Sequence, residues 1–212
     1  MKSVFLGLIA ALLLVAGSNA APERWQALRG GEARLLWQAP GLEARAEKAE
    51  GMQGQLGYRV ERYLWKAQEA GGAFALAALR DFSDSDHYIS GKLDAAKTAQ
   101  LLLKGLEMPP VRLLDESDIS LPTGLGTGMA RRFAVGVREC LGVVLYAGPE
   151  ALNGDKPKPM ATPLSEGSMR LDALYCAKAG GKLLLDDLPG FGKGLSVLPQ
   201  SAQAAQRDAG KE

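Results

Sequence analysis

The run MARRFAVGVRECLGVVLYAG, residues 129–148, constrains this chain more than any other stretch. Phe133, Val135, Val137, Leu141, Val143 and Leu145 share one parity, and Arg132, Arg138, Cys140, Val144 and Tyr146 share the other. Successive side chains of an extended strand point to opposite faces, so this alternation is sheet text with one strongly apolar face. It predicts two strands, or one long bent strand, dividing between Glu139 and Gly142. A second strand-like stretch, MRLDALYCAKAG, begins at Met169 and sets Leu171, Ala173 and Tyr175 against Leu174 and Cys176. Residues 148–168 between them are rich in proline, glycine and polar groups and read as a long connection.

The two strands carry the chain's 2 cysteines, Cys140 and Cys176. Two thiols pair readily only in an oxidising compartment, and the N-terminus supplies the address. Lys2 precedes a compact apolar run from Val4 to Val15, and Ser18-Asn19-Ala20 ends in small residues. This is the pattern of a secretory signal peptide, with cleavage expected after Ala20 or Ala21. The apolar run is short for a membrane span, and no cysteine follows it to take a lipid. The expectation is a periplasmic or secreted chain with one structural disulfide, Cys140–Cys176. It closes a loop of about 37 residues, worth about 4 kcal/mol on the chain-entropy account. The spacing is unlike the C-x-x-C of a redox pair.

The rest of the chain fits a mixed sheet and helix reading. EARLLWQA at 32–39 reads as a strand, and LEARAEKAE at 42–50 as a charged surface helix or loop. In LGYRVERYLW, 56–65, Tyr58, Val60 and Leu64 alternate with Arg59, Glu61 and Tyr63, and Trp65 breaks the phase as a bulge would. Gly71-Gly72 is a turn, and AFALAALRDF the returning strand. GKLDAAKTAQLLLKGLE, 91–107, is the best helix, with Leu93, Ala96, Ala99, Leu103 and Leu106 near one face, Leu102 beside them, and Ser90 as N-cap. Pro109-Pro110 stops it. VRLLDESDISL is a short strand and turn, PTGLGTG a glycine loop, and KLLLDDLPGFGKGLSVL a short helix or strand among glycines.

The fold expected is α+β: a mainly antiparallel β-sheet packed against one or two helices, with one disulfide. A β-sandwich or barrel carrying helices is the main competitor. The expected organisation is a signal peptide at 1–20, a single globular domain at 21–199 and a flexible tail at 200–212. With Lys2 removed from the 25 basic residues, 24 remain against 24 acidic ones. That balance does not suggest a nucleic-acid partner or a strongly anionic membrane surface. The mature chain is expected to be soluble.

No catalytic constellation emerges. His87 is the lone histidine; it lies in the polar loop SDSDHYIS, outside any G-x-S-x-G context, and reads as an exposed loop residue. Asp81, Asp84 and Asp86 lack the glycine and terminal glutamate of a calcium loop. Neither GLGTG at 124–128 nor GFGKG at 190–194 has the phosphate-binding spacing. The pairs Asp186-Asp187 and Glu116/Asp118 show no geometry for glycoside chemistry. No catalytic residue, metal ligand or cofactor is assigned. Trp25, Trp37, Trp65, Tyr58, Tyr63 and Tyr88 crowd the first half of the chain. Most are expected in the core. A binding face, if present, is placed on Arg59, Tyr63, Trp65 and Arg132. The function expected is non-catalytic binding of a protein, peptide or cell-envelope component. A hydrolase using carboxylate or serine chemistry is the alternative.

Overall fold

A computed structural model describes residues 25–28, 32–53, 58–83, 89–104, 108–148 and 166–198. The leader, His87 with Asp84 and Asp86, most of the 148–168 connection and the 200–212 tail lie outside the described residues. In chain order the elements are β1 (Gln26–Ala27), β2 (Leu35–Trp37), β3 (Lys48–Gln53), β4 (Arg59–Lys66), β5 (Phe74–Asp81), β6 (Ile89–Ser90) and α1 (Ala95–Leu103). There follow β7 (Val111–Leu113), β8 (Ile119–Thr123), β9 (Gly126–Val135), β10 (Arg138–Ala147), β11 (Glu166–Gly167), β12 (Met169–Cys176), α2 (Leu188–Lys193) and β13 (Leu195–Val197).

Among the described residues nine strands make one antiparallel sheet in the order β1-β3-β4-β5-β12-β10-β9-β7, with β8 pairing β9 further along the edge that β7 occupies. The α+β expectation holds, as an antiparallel sheet with two helices. The register runs without interruption across the middle of the sheet: Tyr63 faces Ala77, Ala77 faces Ala173, Ala173 faces Val143, and Val143 faces Ala130. That row belongs to the larger core, with Leu141, Leu145 and Leu171. Leu35 and Trp37 of β2, Leu195 and Val197 of β13, and Leu188 and Phe191 of α2 cover it. The opposite face carries a smaller core of Phe133, Val135, Cys140, Leu174 and Cys176, covered by Ala99 and Leu103 of α1.

The disulfide links Cys140 and Cys176, which face each other across β10 and β12 with Cα atoms 4.1 Å apart. The long connection joins these strands at the Ala147–Met169 end, and the disulfide lies at the other end of the ladder. Loop and disulfide therefore close a ring around the two central strands.

Several boundaries differ from the sequence expectation. The long run divides at a tight turn, Gly136-Val137, and not between Glu139 and Gly142. The turn brings Phe133 opposite Cys140 and Leu141 opposite Arg132, so the residues of one sequence parity occupy both faces. In β4 the phase is the reverse of the one expected. Glu61, Tyr63 and Trp65 point into the larger core, and Val60 and Leu64 are half-buried on the other side. Trp65 needs no bulge; it keeps phase with Tyr63. The N-cap of α1 is Asp94, not Ser90: its side chain accepts from the Lys97 N–H at 2.9 Å. Ala95 and Thr98 join Ala99 and Leu103 on the buried face. Lys48–Gln53, read as the end of a charged helix or loop, is a strand.

Candidate functional site

Two polar constructions and one groove stand out, and an aromatic column connects the first polar cluster to the groove.

The first cluster lies under the sheet at β4 and β5. Glu61 is completely buried, yet it accepts from Arg34 Nε at 2.8 Å and pairs with Arg59 Nε at 2.6 Å. The Tyr63 hydroxyl donates to its other oxygen. Arg34 also pairs with Asp81, whose second oxygen accepts from the Ser83 N–H at 2.9 Å and hydroxyl at 2.7 Å. Two guanidiniums thus balance two carboxylates, the condition under which buried charge is tolerated. Burial pushes the Tyr63 phenol far above its ordinary range, and Glu61's charge beside it adds to the effect. The hydroxyl stays a donor to Glu61 and accepts the backbone N–H groups of Arg34 and Leu35, both at 3.1 Å. This stitches β2 to the main sheet.

From Tyr63 the column runs through Trp65, stacked at 5.6 Å, to Trp37 edge-on at 6.0 Å, then to Tyr175 at 6.2 Å and Phe191 at 4.7 Å. Trp37 Nε1 donates to the Phe191 carbonyl at 3.1 Å and fixes α2 over β2. Such ring pairs add specificity to the area they bury.

The column ends in the floor of the groove, whose volume is about 930 Å³. Pro40, Leu42, Tyr175, Leu183 and Phe191 give it apolar walls, and Lys182, Asp186 and Asp187 stand at its edge. Burial raises the Tyr175 phenol above its usual value, and its hydroxyl donates to the Pro40 carbonyl at 2.8 Å. The Leu183 wall is held at both backbone ends. Its N–H donates to Glu139 at 2.8 Å, and its carbonyl accepts from Arg132 Nη1 at 2.8 Å. Arg132 is itself clamped by Asp115, with Nη2 at 2.7 Å and the backbone N–H at 2.9 Å. Beyond Leu183, a 3-10 turn presents Leu184 and Leu185, 59 % and 53 % exposed.

The four residues of the expected binding face are not brought together on one surface. Tyr63 and Trp65 are 3 % and 1 % exposed and belong to the core. Arg59 is tied to Glu61 and the Glu32 carbonyl. Arg132 does reach the groove, as the residue that positions Leu183. The groove aromatics, Tyr175 and Phe191, come from the second half of the chain. The two glycine stretches are not loops but packing devices: Gly124, in the turn between β8 and β9, donates its N–H to the carbonyl of Gly192 in α2 at 3.2 Å. A Cβ on Gly192 would stand 2.2 Å from the Pro122 carbonyl oxygen, so only glycine admits this approach.

The second cluster lies on the α1 face. Asp172 accepts from Arg170 Nε and Nη2 at 3.0 and 2.8 Å, from Thr98 Oγ1 at 3.2 Å, and from Arg80. Among the described residues no group of three or more His, Cys, Asp or Glu side chains is placed to hold a metal ion. Neither a protein-family model, nor a curated protein, nor a solved structure matches this chain.

Proposed function

We propose that this is an exported, non-catalytic domain that holds an apolar, basic-flanked peptide segment of a protein or envelope partner in the groove between α2 and the Pro40–Leu42 turn. The observation that carries the reading is the juxtaposition of Leu184 and Leu185, each more than half exposed, with the 930 Å³ groove whose wall begins at Leu183. Large apolar side chains left in water beside a concave apolar surface mark an interaction site. Among the described lining residues Asp186 and Asp187 outnumber the cation Lys182, which favours a positively charged partner. Export is supported by the leader-like residues 1–20 and is consistent with the disulfide.

The test is fluorescence anisotropy with labelled peptides carrying Leu or Phe flanked by Lys or Arg, against the same peptides with Glu in place of the basic residues. The basic set should bind, the acidic set should not, and Leu184→Asp/Leu185→Asp should weaken binding at least about tenfold. Absence of binding by the basic set, or binding that the double substitution leaves unchanged, refutes the reading.

A further inference from the structure

On the α1 face, Arg80 of β5 and Arg170 of β12 are directly opposite each other in the ladder. Like charges in that register oppose strand pairing. Asp172, on the same face and two residues along β12, answers both guanidiniums, so among the described residues one carboxylate serves two positive charges. Arg80 remains 40 % exposed. Lys92, just before α1, and Lys97, in its first turn, join the two arginines in lining a concave pocket of about 320 Å³. Among the described residues neither lysine has an ion-pair partner. Asp94, the other carboxylate of the pocket, is engaged in capping the Lys97 N–H. Among the described residues four cations thus share the pocket with two carboxylates, both already hydrogen-bonded. The Thr98 hydroxyl lies at the pocket as well, held by Asp172.

We propose that this pocket binds a small, multiply charged oxyanion of the phosphate class, at a site separate from the groove. Arg170 is already forked on Asp172 and donates Nη1 to the Tyr146 hydroxyl at 3.1 Å, so it contributes charge. Arg80, which bonds Asp172 through Nη1, supplies the planar guanidinium that suits an oxyanion, and the ammonium groups add mobile point charge. Cations gathered in a concave wall focus their field on what enters it. A ligand there would relieve the cross-strand repulsion that Asp172 relieves only in part. The pocket volume suits a free solute or small phosphate ester, not the face of a bilayer.

The experiment is calorimetric titration of inorganic pyrophosphate into the full chain at low salt, about 50 mM, where surface charge is least screened. Saturable one-site binding is expected. Lys92→Gln/Lys97→Gln should weaken it at least about tenfold. Lys66→Gln/Lys178→Gln removes the same charge elsewhere and should leave affinity within about twofold. All four lysines are exposed, so a matching thermal melt verifies each fold. The proposal is overturned by no saturable binding up to about 10 mM pyrophosphate. Equal losses in the two double variants also overturn it, because they would reveal only general attraction. Binding to phosphatidylglycerol vesicles without uptake of pyrophosphate overturns it as well.

Discussion

Glu61→Gln should be among the most destabilising single-atom exchanges available to this protein. Glu50, on the neighbouring strand, supplies the control. Each glutamate is held by two cations: Glu61 by Arg34 and Arg59, Glu50 by Arg62 and Lys48. They differ in solvent. The Glu61 side chain is 0 % exposed with partners at 4 % and 26 %, whereas Glu50 is 21 % exposed with partners at 50 % and 64 %. Removing one partner of a buried pair costs about 3–5 kcal/mol, and here Asp81 still pairs with Arg34 once the Glu61 charge is gone. The introduced amide still accepts one bond, which places the expected loss near the lower end, about 3 kcal/mol; Glu50→Gln should cost no more than about 1 kcal/mol. Urea unfolding at pH 7 reads both. Equal losses would refute the argument that burial decides the strength of this cluster. Acid gives a second reading. Burial alone would raise Asp81, but the Arg34 charge and the bonds from Ser83 and Arg34 outweigh it and hold the carboxyl below its ordinary value. A carboxylate depressed in the folded state contributes stability in full above its unfolded pKa, about 3.9, and loses it as pH falls through the lower folded value. Asp81→Asn should therefore flatten the stability loss below about pH 4.

Two further predictions concern the scaffold. Cys140→Ala/Cys176→Ala should lower unfolding stability by about 2–5 kcal/mol, and both cysteines are fully buried, so a mild reductant should leave the native bond intact until the protein opens; a loss below about 1 kcal/mol in urea would show that loop closure contributes little here. Gly142→Ala should cost about 1–3 kcal/mol in the same assay, because its Cβ would stand 2.8 Å from the Ala95 carbonyl oxygen and 3.2 Å from both Ala99 Cβ and Phe133 Cε1, which forces α1 off the sheet; a neutral result would mean that α1 is not held so closely.

What the sequence made legible follows from how local each signal is. The β10 and β12 alternation, the Gly71-Gly72 hairpin and the disulfide could be read because each depends on neighbouring residues or on a single pair of cysteines. The phase of β4 could not be read by treating every apolar residue alike. Tyr63 and Trp65 offer more area to bury than Val60 and Leu64, and they carry Glu61 inward with them because they share its parity. That placement is tolerable only because Arg34, distant in sequence, meets Glu61 there. The reversed phase and the buried ion cluster are thus one event, and weighting the strand by side-chain size would have found its first half. The two candidate sites have no local signature at all. Pro40, Tyr175 and Phe191 meet through the covering of the sheet by β2 and α2, and Arg80 opposes Arg170 only through the β5–β12 register. Arg132 shows the same limit from the other side. Its residue type suggested a ligand contact, but its partners, Asp115 and the Leu183 carbonyl, make it a brace for the groove wall. A residue's chemistry can be read from the chain, but its role depends on partners that only the pairing of distant strands supplies.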